Sequence, residues 1–597
     1  MTISVYAAWP LADTKTPLTL CVATQAPVWL GTAWVHDQVQ SLLDQAHQYS
    51  QQGLTVVGYV AYEAAPAFDP TLVVHLDDPP KQPLCYWMAF NTECLEVCTV
   101  EPQRQNFSAL SPWVDAYGLD WFEDRFARLQ QMIAQGDFYQ LNLTTRLHAE
   151  LESEVVNDLA WQLFKVLYFK QQASHSVYLN CGSFQLLSLS PEVFFHWQGN
   201  QLLTSPMKGT CTATVDDWVL KDSAKNQAEN VMIVDLLRND MARICLPRSV
   251  QVKSLFDVMS LPTVKQMTST ITGLTQSGVL LSQVFAALFP CGSVTGAPKH
   301  QAMKTIAALE QSSRGVYCGS IGVMQPGGAV KMNVAIRTLC LQQNQFTYGV
   351  GSGITWYSDA LDERREWWQK SEFLRQATRD FQILETLRLE QGQWVRRYEH
   401  LERMQQAARY FGFICNLTSI HQQLDEVASR HLQGQWRGRW LLAAGGEFLI
   451  QVEPLQALPK SIRLRLAHEP IQPSFNWTQF KTTHRVHYDR FLPSDSEIFD
   501  TLLFDEKNFL CETCRFNVVL QIHQERVTPQ INPASRSNLL HGVFRDVILR
   551  ENMAKEMRIS ILDLATIKLA WLVNSLREWV PVNEIQDANG ALIYRKL

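Results

Sequence analysis

The chain has 597 residues, more than one hydrophobic core usually supports, so two or more domains are expected. Its 46% hydrophobic and 18% charged residues are ordinary for a folded globular protein. A net charge of −6 without Lys/Arg blocks excludes the pattern of nucleic-acid or anionic-membrane binding. The N-terminus lacks a leader pattern, and no apolar run approaches the roughly 20 residues that span a bilayer. We therefore expect a cytoplasmic enzyme that acts on small molecules.

Helical and extended patterns alternate along the whole chain, which predicts an α+β fold class. In chain order, the sequence predicts strands over 54–62 and 183–188, a helix over 227–244, a charged helix over 359–378 and a strand over 381–388. The pattern changes near residue 376. We therefore predict two domains, one over 1–375 and one over 379–597.

The first half carries two features that suit a small anion. Gly349–Gly353 is too glycine-rich for a good strand interior, so we predict a turn whose backbone amides can approach a carboxylate. Arg337 lies in an apolar, strand-like run, where a guanidinium is costly to bury unless it meets an anion. A structural turn and an internal ion pair are the alternatives.

Carboxylates supply the complementary feature. Glu363 and Glu366 are three residues apart on the predicted helix and so share a face, and Glu229 opens another helix. Such residues suit Mg²⁺, which uses a few protein oxygens and lets the substrate complete its octahedron. The alternative is a solvated helix face with a Glu366–Lys370 ion pair.

Four segments of the first half resemble the chorismate-utilising enzymes in sequence, order and spacing: 235–240 (DLLRND), 289–299 (FPCGSVTGAPK), 314–322 (RGVYCGSIG) and 335–338 (AIRT). This resemblance covers roughly residues 50–375 and implies an α/β sandwich. It implies that Glu229, Glu363 and Glu366 hold or support Mg²⁺. It also implies that chorismate is held by Gly209, Thr210, Thr295, Tyr317, Arg337, Gly351, Ser352 and Gly353.

Position 208 separates members of that family by reaction. Anthranilate synthases and isochorismate-type enzymes usually read Pro-Ile-Ala-Gly-Thr here, whereas enzymes that aminate C4 read Pro-Ile-Lys-Gly-Thr. This chain reads Pro206-Met207-Lys208-Gly209-Thr210. The resemblance implies that Lys208, when neutral, attacks C2 of chorismate as the C4 hydroxyl leaves, and that ammonia then adds at C4 and expels the lysine.

Departures from the family concern the general acid and the metal shell. Asn226 stands where a carboxylate is usual, Cys291 replaces a usual glycine, and 262–267 (PTVKQM) lacks a frequent histidine. The sequence also has no Gly-x-Cys-x-Gly elbow of a glutamine amidotransferase. A separate glutamine amidotransferase subunit is therefore the expected ammonia source.

The second half contains a lysine and a glutamate whose surroundings differ from those of the candidate residues in the first half. Lys481 follows an aromatic-rich segment, and Glu512 precedes a strand-like run. A lysine that bonds covalently to pyridoxal phosphate and a carboxylate at its ring nitrogen are what that cofactor requires. The spacing Cys511-Glu512-Thr513-Cys514 also permits a redox or metal interpretation, which is weak without further ligands.

Six segments resemble the fold-type IV pyridoxal-phosphate enzymes, over roughly residues 379–597: 381–388, 398–404, 481–485, 511–517, 540–545 and 573–576. The resemblance implies a two-subdomain α/β fold, with Lys481 as the cofactor lysine and Glu512 at the pyridine nitrogen. It implies that the phosphate is held by Arg403, Val543, Phe544, Asn574 and Ser575. Dimerisation through this half is a further expectation.

Together the resemblances imply one route, from chorismate and ammonia to 4-amino-4-deoxychorismate and then to p-aminobenzoate and pyruvate. Three alternatives stay open. The first half can be an anthranilate-type synthase, the second half can be a branched-chain-type aminotransferase, and either half can bind without turnover.

Overall fold

The computed structural model describes residues 6–10, 19–101, 107, 110–151, 158–212, 216–260, 264–375, 377–378, 380–471, 477–531 and 539–596. The chain divides into two compact units: unit 1 comprises Met1–Tyr117 and Trp121–Arg379, and unit 2 comprises Gly118–Asp120 and Asp380–Leu597. Residue 376, where the sequence pattern changes, lies outside the described residues. Across the described ranges, no helix has the length and hydrophobicity needed to cross a bilayer.

Two ten-stranded sheets form the body of unit 1, and their described strand pairs are antiparallel. In spatial order, the first sheet contains Gly296–Ala297, Gln140–Glu150, Gln345–Thr355, Thr338–Gln342, Phe184–Ser190, His175–Asn180, Ala7–Pro10, Thr19–Ala23 and Leu95–Thr99, with Val114–Asp115 beside Gln140–Glu150. The second contains Met207–Thr212, Val264–Leu274, Gln201–Ser205, Val193–Gln198, Val330–Val334, Ser320–Met324, Thr55–Val60, Cys85–Phe90 and Trp29–Ala33, with Gln251–Ser260 beside Val264–Leu274.

One buried cluster joins side chains of both sheets, including Trp9 and Leu186 from the first and Tyr59 and Ile321 from the second. The two sheets therefore pack face to face, as the predicted sandwich requires. The α-helices of this part of the chain are His36–Gln51, Gly118–Ala134, Leu159–Gln171, Asp217–Lys221, Ala224–Ala242, Leu281–Leu288, Lys299–Leu309 and Ala360–Arg375, and the short 3₁₀ segments are Tyr62–Ala67, Thr92–Cys94 and Gly292–Val294.

Unit 2 has a four-stranded and two five-stranded sheets. The four-stranded sheet has the spatial order Gln393–Trp394, Ile383–Glu390, Gln435–Leu442 and Phe448–Pro454. One five-stranded sheet has the order Leu510–Thr513, Asp500–Phe504, Arg463–Leu466, Glu584–Gln586 and Leu592–Arg595. The other has the order Lys555–Met557, Glu525–Pro529, Asn517–Ile522, Ile567–Asn574 and Glu578–Pro581. Its helices are Arg397–Phe411, Leu417–Ser429, Val486–Asp489 and Val543–Arg550, with 3₁₀ segments Trp477–Gln479 and Ile561–Thr566. Leu464, Leu502, Val518 and Leu572 place both five-stranded sheets on one core.

The structure confirms the α+β class and the predicted elements. The predicted strands are observed as Thr55–Val60, Phe184–Ser190 and Ile383–Glu390, and the predicted helices as Ala224–Ala242 and Ala360–Arg375.

The predicted glycine turn is wrong, because Gly349–Gly353 lies inside the strand Gln345–Thr355 and pairs with Gln140–Glu150. Close packing explains the glycines: a Cβ at Gly349 would lie 2.2 Å from the Tyr317 ring, and one at Gly353 would lie 2.1 Å from Gln140 Nε2. The absence of side chains here makes room for neighbours rather than for a turn.

Candidate active sites

Lys208 lies on the edge strand Met207–Thr212, opposite Met267. The strand bulges at Gly209, whose φ of +79° favours glycine. A Cβ at Gly209 would meet the Asn226 side chain at 2.8 Å, so Asn226 packs against this turn of backbone. The Lys208 ammonium donates to Ser293 O at 3.4 Å. Thr210 continues the strand, and its side chain lies outside the described residues.

Sequence reasoning missed a carboxylate beside Lys208. Glu192 is 4% exposed, and Ser293, which accepts from Lys208, also hydrogen-bonds the Glu192 side chain. Burial raises the pKa of Glu192, against the opposing effects of Ser293 and the Lys208 charge. Oε1 of Glu192 is buried without a hydrogen-bond partner among the described residues. The available signal was a lone glutamate between the apolar runs of 186–195 (LLSLSPEVFF).

Gln140 is a second missed residue. It begins the strand Gln140–Glu150 and is buried, and in the described part of the chain neither atom of its amide has a hydrogen-bond partner. Its Nε2 approaches Gly353, one of the residues predicted to hold chorismate. A buried amide is costly without a partner, so this group is suited to bind a polar ligand.

The residues predicted to hold chorismate are spread over several elements of unit 1. The sequence placed Arg337 in a strand-like run, but the structure places it in the connection after the strand Val330–Val334. The φ of Arg337 is +48°. Its Nη1 donates to Gln171 Oε1 at 2.9 Å, and burial lowers its pKa. Within the described ranges no carboxylate pairs with it, so the charge is suited to a bound anion.

Thr295, Tyr317 and Ser352 are buried and held by protein groups. The Thr295 hydroxyl donates to Cys291 O at 3.1 Å, and Ser352 Oγ accepts from Trp367 Nε1 at 2.8 Å. The Arg146 guanidinium lies 5.2 Å from the Tyr317 ring centroid. These contacts restrict the positions of the three side chains.

The three predicted metal carboxylates lie on two helices. Glu363 is buried and accepts from Ser358 Oγ at 2.7 Å, while Glu366 forms an ion pair with Lys370 at 2.7 Å. Glu229 does not open its helix, which begins at Ala224, but lies in the second turn. Among the described residues, no three His, Cys, Asp or Glu side chains converge as a metal site. Carboxylate donors suit Mg²⁺, and a substrate would have to supply further oxygens.

Two of the residues that depart from the family pattern have structural contacts. Lys265 forms an ion pair with Asp217 at 2.7 Å, and Cys291 Sγ lies 3.2 Å from Ser293 Oγ. Pro262 and Thr263 of the same segment lie outside the described residues. The contacts of Lys265 and Cys291 do not identify either residue as a general acid.

In unit 2, Lys481 lies after the 3₁₀ segment Trp477–Gln479, and its carbonyl accepts from Leu384 N at 2.9 Å. Burial lowers the pKa of the Lys481 amine to about 7, and the charges of Arg485 and Arg403 act in the same direction. A substantial fraction of this amine is therefore neutral at physiological pH, as a nucleophile must be.

We predict that acylation of Lys481 in the cofactor-free protein rises with pH and levels off above about pH 8, because a lowered pKa makes the amine neutral above 7. An ordinary lysine amine, with a pKa of about 10.4, continues to gain reactivity up to about pH 10. Peptide mass spectrometry after brief labelling measures both profiles, with N-acetyl-lysine amide as standard. A Lys481 profile that follows the standard would contradict the prediction.

Glu512 lies within the strand Leu510–Thr513 rather than before it, and is 4% exposed. Its Oε1 accepts from Tyr488 OH at 2.6 Å and Leu540 N at 3.2 Å, and its Oε2 accepts from Asn517 Nδ2 at 3.1 Å. Burial raises its pKa to about 7. A buried, fixed carboxyl group of this kind suits a pyridine nitrogen, whose positive charge would favour the ionised form.

The residues predicted to bind phosphate form what we call the cradle: Arg403, the amides of Val543 and Phe544, and the turn at Asn574–Ser575. Val543 and Phe544 begin the helix Val543–Arg550, in which the backbone N–H of Asp546 donates to Gly542 O at 2.9 Å. Helix N-termini favour anions, since their first amides have no partner inside the helix. Asn574 Oδ1 accepts from Leu576 N and Arg577 N and so shapes the predicted turn.

Arg403 does not stand alone in the cradle. Its Nε and Nη2 donate to Glu385 at 3.0 and 2.5 Å, and its Nη1 donates to His541 O at 2.8 Å. His400 lies 2.6 Å from Glu385 Oε2 and 2.7 Å from Ser575 Oγ. Sequence reasoning missed Glu385 and His400, although both lie in segments that carried the family resemblance. The geometry fits a phosphate-bearing cofactor.

Cys511 and Cys514 are buried, and each bonds a different carbonyl: Cys511 Sγ donates to Phe509 O at 3.7 Å and Cys514 Sγ to Tyr488 O at 3.8 Å. These contacts account for both thiols as packing residues.

Two protein-family models match separate parts of the chain. The chorismate binding enzyme family matches residues 18–376, and amino-transferase class IV matches residues 382–585, which implies pyridoxal phosphate in unit 2. Component 1 of aminodeoxychorismate synthase from Salmonella typhimurium is 36% identical over 276 residues, covering 45% of this chain and 60% of that protein. The Escherichia coli protein of the same name is 36% identical over 283 residues, with 46% and 61% coverage. The chain thus spans about three fifths of these relatives.

A solved structure agrees with the fold of unit 1. Anthranilate synthase component I from Streptococcus pneumoniae has a TM-score of 0.51 and 22% sequence identity, covering 62% of this chain and 93% of its own. At this identity the match shows the fold alone.

Proposed function

Because this chain belongs to the chorismate binding enzyme family, we propose that unit 1 aminates chorismate at C4 and that unit 2 converts the product into p-aminobenzoate and pyruvate. The observation that carries the proposal is the position of Lys208. Both Lys208 and the buried carboxyl group of Glu192 form hydrogen bonds with Ser293. The name shared by the Salmonella and Escherichia relatives supports the same chemistry.

In unit 1 the Lys208 amine forms a bond to C2 of chorismate while the C4 hydroxyl leaves. Both ring double bonds shift toward C4, and the leaving hydroxyl takes up a proton to depart as water. Ammonia then forms a bond at C4, both double bonds shift back, and the bond from C2 to Lys208 breaks, which releases the lysine as an amine. The pyruvyl group keeps its bond to the ring throughout, which explains amination without loss of pyruvate.

Glu192 is our candidate for the general acid. Its raised pKa lets it hold a proton closer to neutral pH than an ordinary glutamate, and Oε1 is available to donate it. Ser293 holds both Glu192 and Lys208, so the acid and the nucleophile stay together as the substrate reacts.

Substrate binding is assigned to the remaining groups of unit 1. Arg337 and Tyr317 bind carboxylates of chorismate. The ring is surrounded by Gly209, Thr210, Thr295 and the backbone at Gly351–Gly353. The side-chain amide of Gln140 forms hydrogen bonds with the substrate. Glu363 and Glu366, supported by Glu229, would hold Mg²⁺, which supplies positive charge to the oxygens of the substrate.

We predict that Glu192→Gln lowers the rate of chorismate amination by about 10²–10⁴-fold, the usual contribution of a general acid. The substrate KM changes little, since glutamine keeps the size and a hydrogen bond to Ser293. Steady-state kinetics with ammonium salts measure both constants. A loss confined to KM would instead place Glu192 in substrate binding.

In unit 2 the cradle would hold the phosphate of pyridoxal phosphate, and Glu512 would meet its ring nitrogen. When bound, the cofactor supplies an electron sink. Lys481 Nζ removes the C4 proton of aminodeoxychorismate, the ring becomes aromatic, and pyruvate leaves. The lowered pKa of Lys481 prepares it to accept that proton.

The match to amino-transferase class IV keeps a second candidate for unit 2, transfer of an amino group from an amino acid to 2-oxoglutarate. We infer that ammonia comes from a separate glutaminase chain, since the relatives are named component 1 and this sequence lacks the Gly-x-Cys-x-Gly elbow. A homodimer through unit 2 is also proposed.

The proposal is tested by incubating the full chain with chorismate, an ammonium salt, Mg²⁺ and pyridoxal phosphate, and identifying the products. We expect p-aminobenzoate and one equivalent of pyruvate. o-Aminobenzoate would favour an anthranilate-type synthase. A parallel incubation adds 2-oxoglutarate and a branched-chain amino acid. Aminodeoxychorismate without p-aminobenzoate in the first reaction, together with glutamate in the second, would favour the aminotransferase.

A further inference from the structure

Four side chains of unit 2 form a hydrogen-bonded row across the cradle. Arg403 contacts Glu385, Glu385 contacts His400 Nδ1 at 2.6 Å, and His400 Nε2 contacts Ser575 Oγ at 2.7 Å. His400 is 0% exposed and Glu385 is 1% exposed. The two ends of the row, Arg403 and Ser575, are both residues of the proposed phosphate site.

The positions of the protons follow from the hydrogen-bond partners. Burial would raise the pKa of Glu385, but Arg403 and His400 lower it to about 2, so the carboxylate only accepts hydrogen bonds. His400 Nδ1 must therefore carry a proton. Burial lowers the pKa of His400, so without a ligand the ring is neutral and Nε2 accepts. Ser575 then donates its hydroxyl proton to His400 and has none to offer a phosphate.

We propose that binding of a phosphate-monoester dianion in the cradle is coupled to uptake of a proton from solvent by His400. The protonated ring donates from both nitrogens, so Ser575 Oγ becomes an acceptor toward His400 and its hydroxyl proton turns to the phosphate. His400 is thus a positioning residue that acts through Ser575. The inference rests on the proposed function in taking the phosphate of a cofactor as the ligand.

The groups around His400 have opposing effects on its pKa, so an added charge can change its protonation state. Glu385, from the strand Ile383–Glu390, favours the protonated ring, whereas burial, Arg403 on the same helix and Lys481 oppose it. Ser575 and the Trp440 ring, 6.2 Å away, add no net charge. A dianion beside Ser575 adds to the effect of Glu385 and raises the pKa of His400. Binding that takes up a proton strengthens as pH falls, by at most tenfold per pH unit.

The test is calorimetric titration of the full chain, stripped of cofactor, with pyridoxamine 5′-phosphate, which cannot bond to Lys481. Buffers of different ionisation enthalpy, used between pH 7 and 8, give the protons taken up. This range lies above the second phosphate pKa of about 6. We expect the wild-type chain to take up as much as one proton more than His400→Asn, and its dissociation constant to rise up to tenfold across that range.

Ser575 provides a milder pair of variants. Ser575→Ala should lose most of the gain in affinity at lower pH, whereas Ser575→Thr, which keeps the hydroxyl, should retain it. Circular dichroism confirms that each variant is folded. Equal proton uptake by wild type, His400→Asn and Ser575→Ala would overturn the inference and leave the proposed function standing. Failure of the wild-type chain to bind the ligand at any pH would overturn both.

Discussion

Replacing Lys208 by alanine should abolish aminodeoxychorismate formation from chorismate, ammonia and Mg²⁺, with a loss of at least about 10³-fold in rate, since removal of a covalent nucleophile has effects of this order or larger. Lys208→Arg should be equally inactive, since a guanidinium stays protonated. Chromatography of quenched reactions measures the product.

The matched control is Lys253→Ala, because Lys253 is an exposed lysine on Gln251–Ser260, which pairs with the same strand, Val264–Leu274, as the strand of Lys208 does. It should keep the wild-type rate. Both Lys208 variants should still release pyruvate when aminodeoxychorismate itself is supplied, which shows that unit 2 is intact. Full aminodeoxychorismate formation by Lys208→Ala would remove the lysine from the mechanism.

The sequence singled out Lys208 as a candidate because its distinctive neighbours are adjacent in the chain. A proline and a glycine–threonine pair flank it, and the structure shows why: the backbone bulges at Gly209, which only glycine tolerates easily there. The sequence did not indicate Glu192 because its contacts with Ser293 and with the charge of Lys208 join residues that are distant in sequence. Local patterns do not report such contacts between strands and loops.

The glycine run shows how a composition rule fails. Glycine weakens strands in general, so a turn was the natural expectation for 349–353. The long antiparallel pairing with Gln140–Glu150 outweighs that tendency, and the Tyr317 ring and Gln140 side chain occupy the space above the glycines. Tertiary packing, which one sequence does not reveal, decided the conformation.

In unit 2 the sequence predicted residues that bind the cofactor phosphate, but it did not predict the residues that contact them. Arg403, Ser575 and the helix start at Val543 belong to segments with a family resemblance. Glu385 and His400 lie in two of those segments as well, yet a glutamate in a strand and a histidine in a helix have no distinguishing pattern. Their contacts become visible only in the fold, which places them between Arg403 and Ser575.

Lys481→Ala should separate the two proposed reactions. Release of pyruvate should fall by at least about 10³-fold, because the variant loses the amine that both bonds the cofactor and accepts the C4 proton. Amination in unit 1 does not use this lysine, so aminodeoxychorismate should accumulate from chorismate and ammonia. Enzymatic measurement of pyruvate, together with chromatography of the intermediate, gives both results from one reaction.

Lys555→Ala is the control, because Lys555 is 73% exposed and pairs only with Glu525 in the contacts described. It should release pyruvate at the wild-type rate. In the wild-type chain, borohydride should fix the cofactor on the peptide that contains Lys481, and this labelled peptide should be absent from Lys481→Ala. Pyruvate release that persists in Lys481→Ala would contradict the assignment, because a group other than Lys481 would then have to accept the C4 proton. Loss of both reactions would instead mean that unit 1 depends on this lysine.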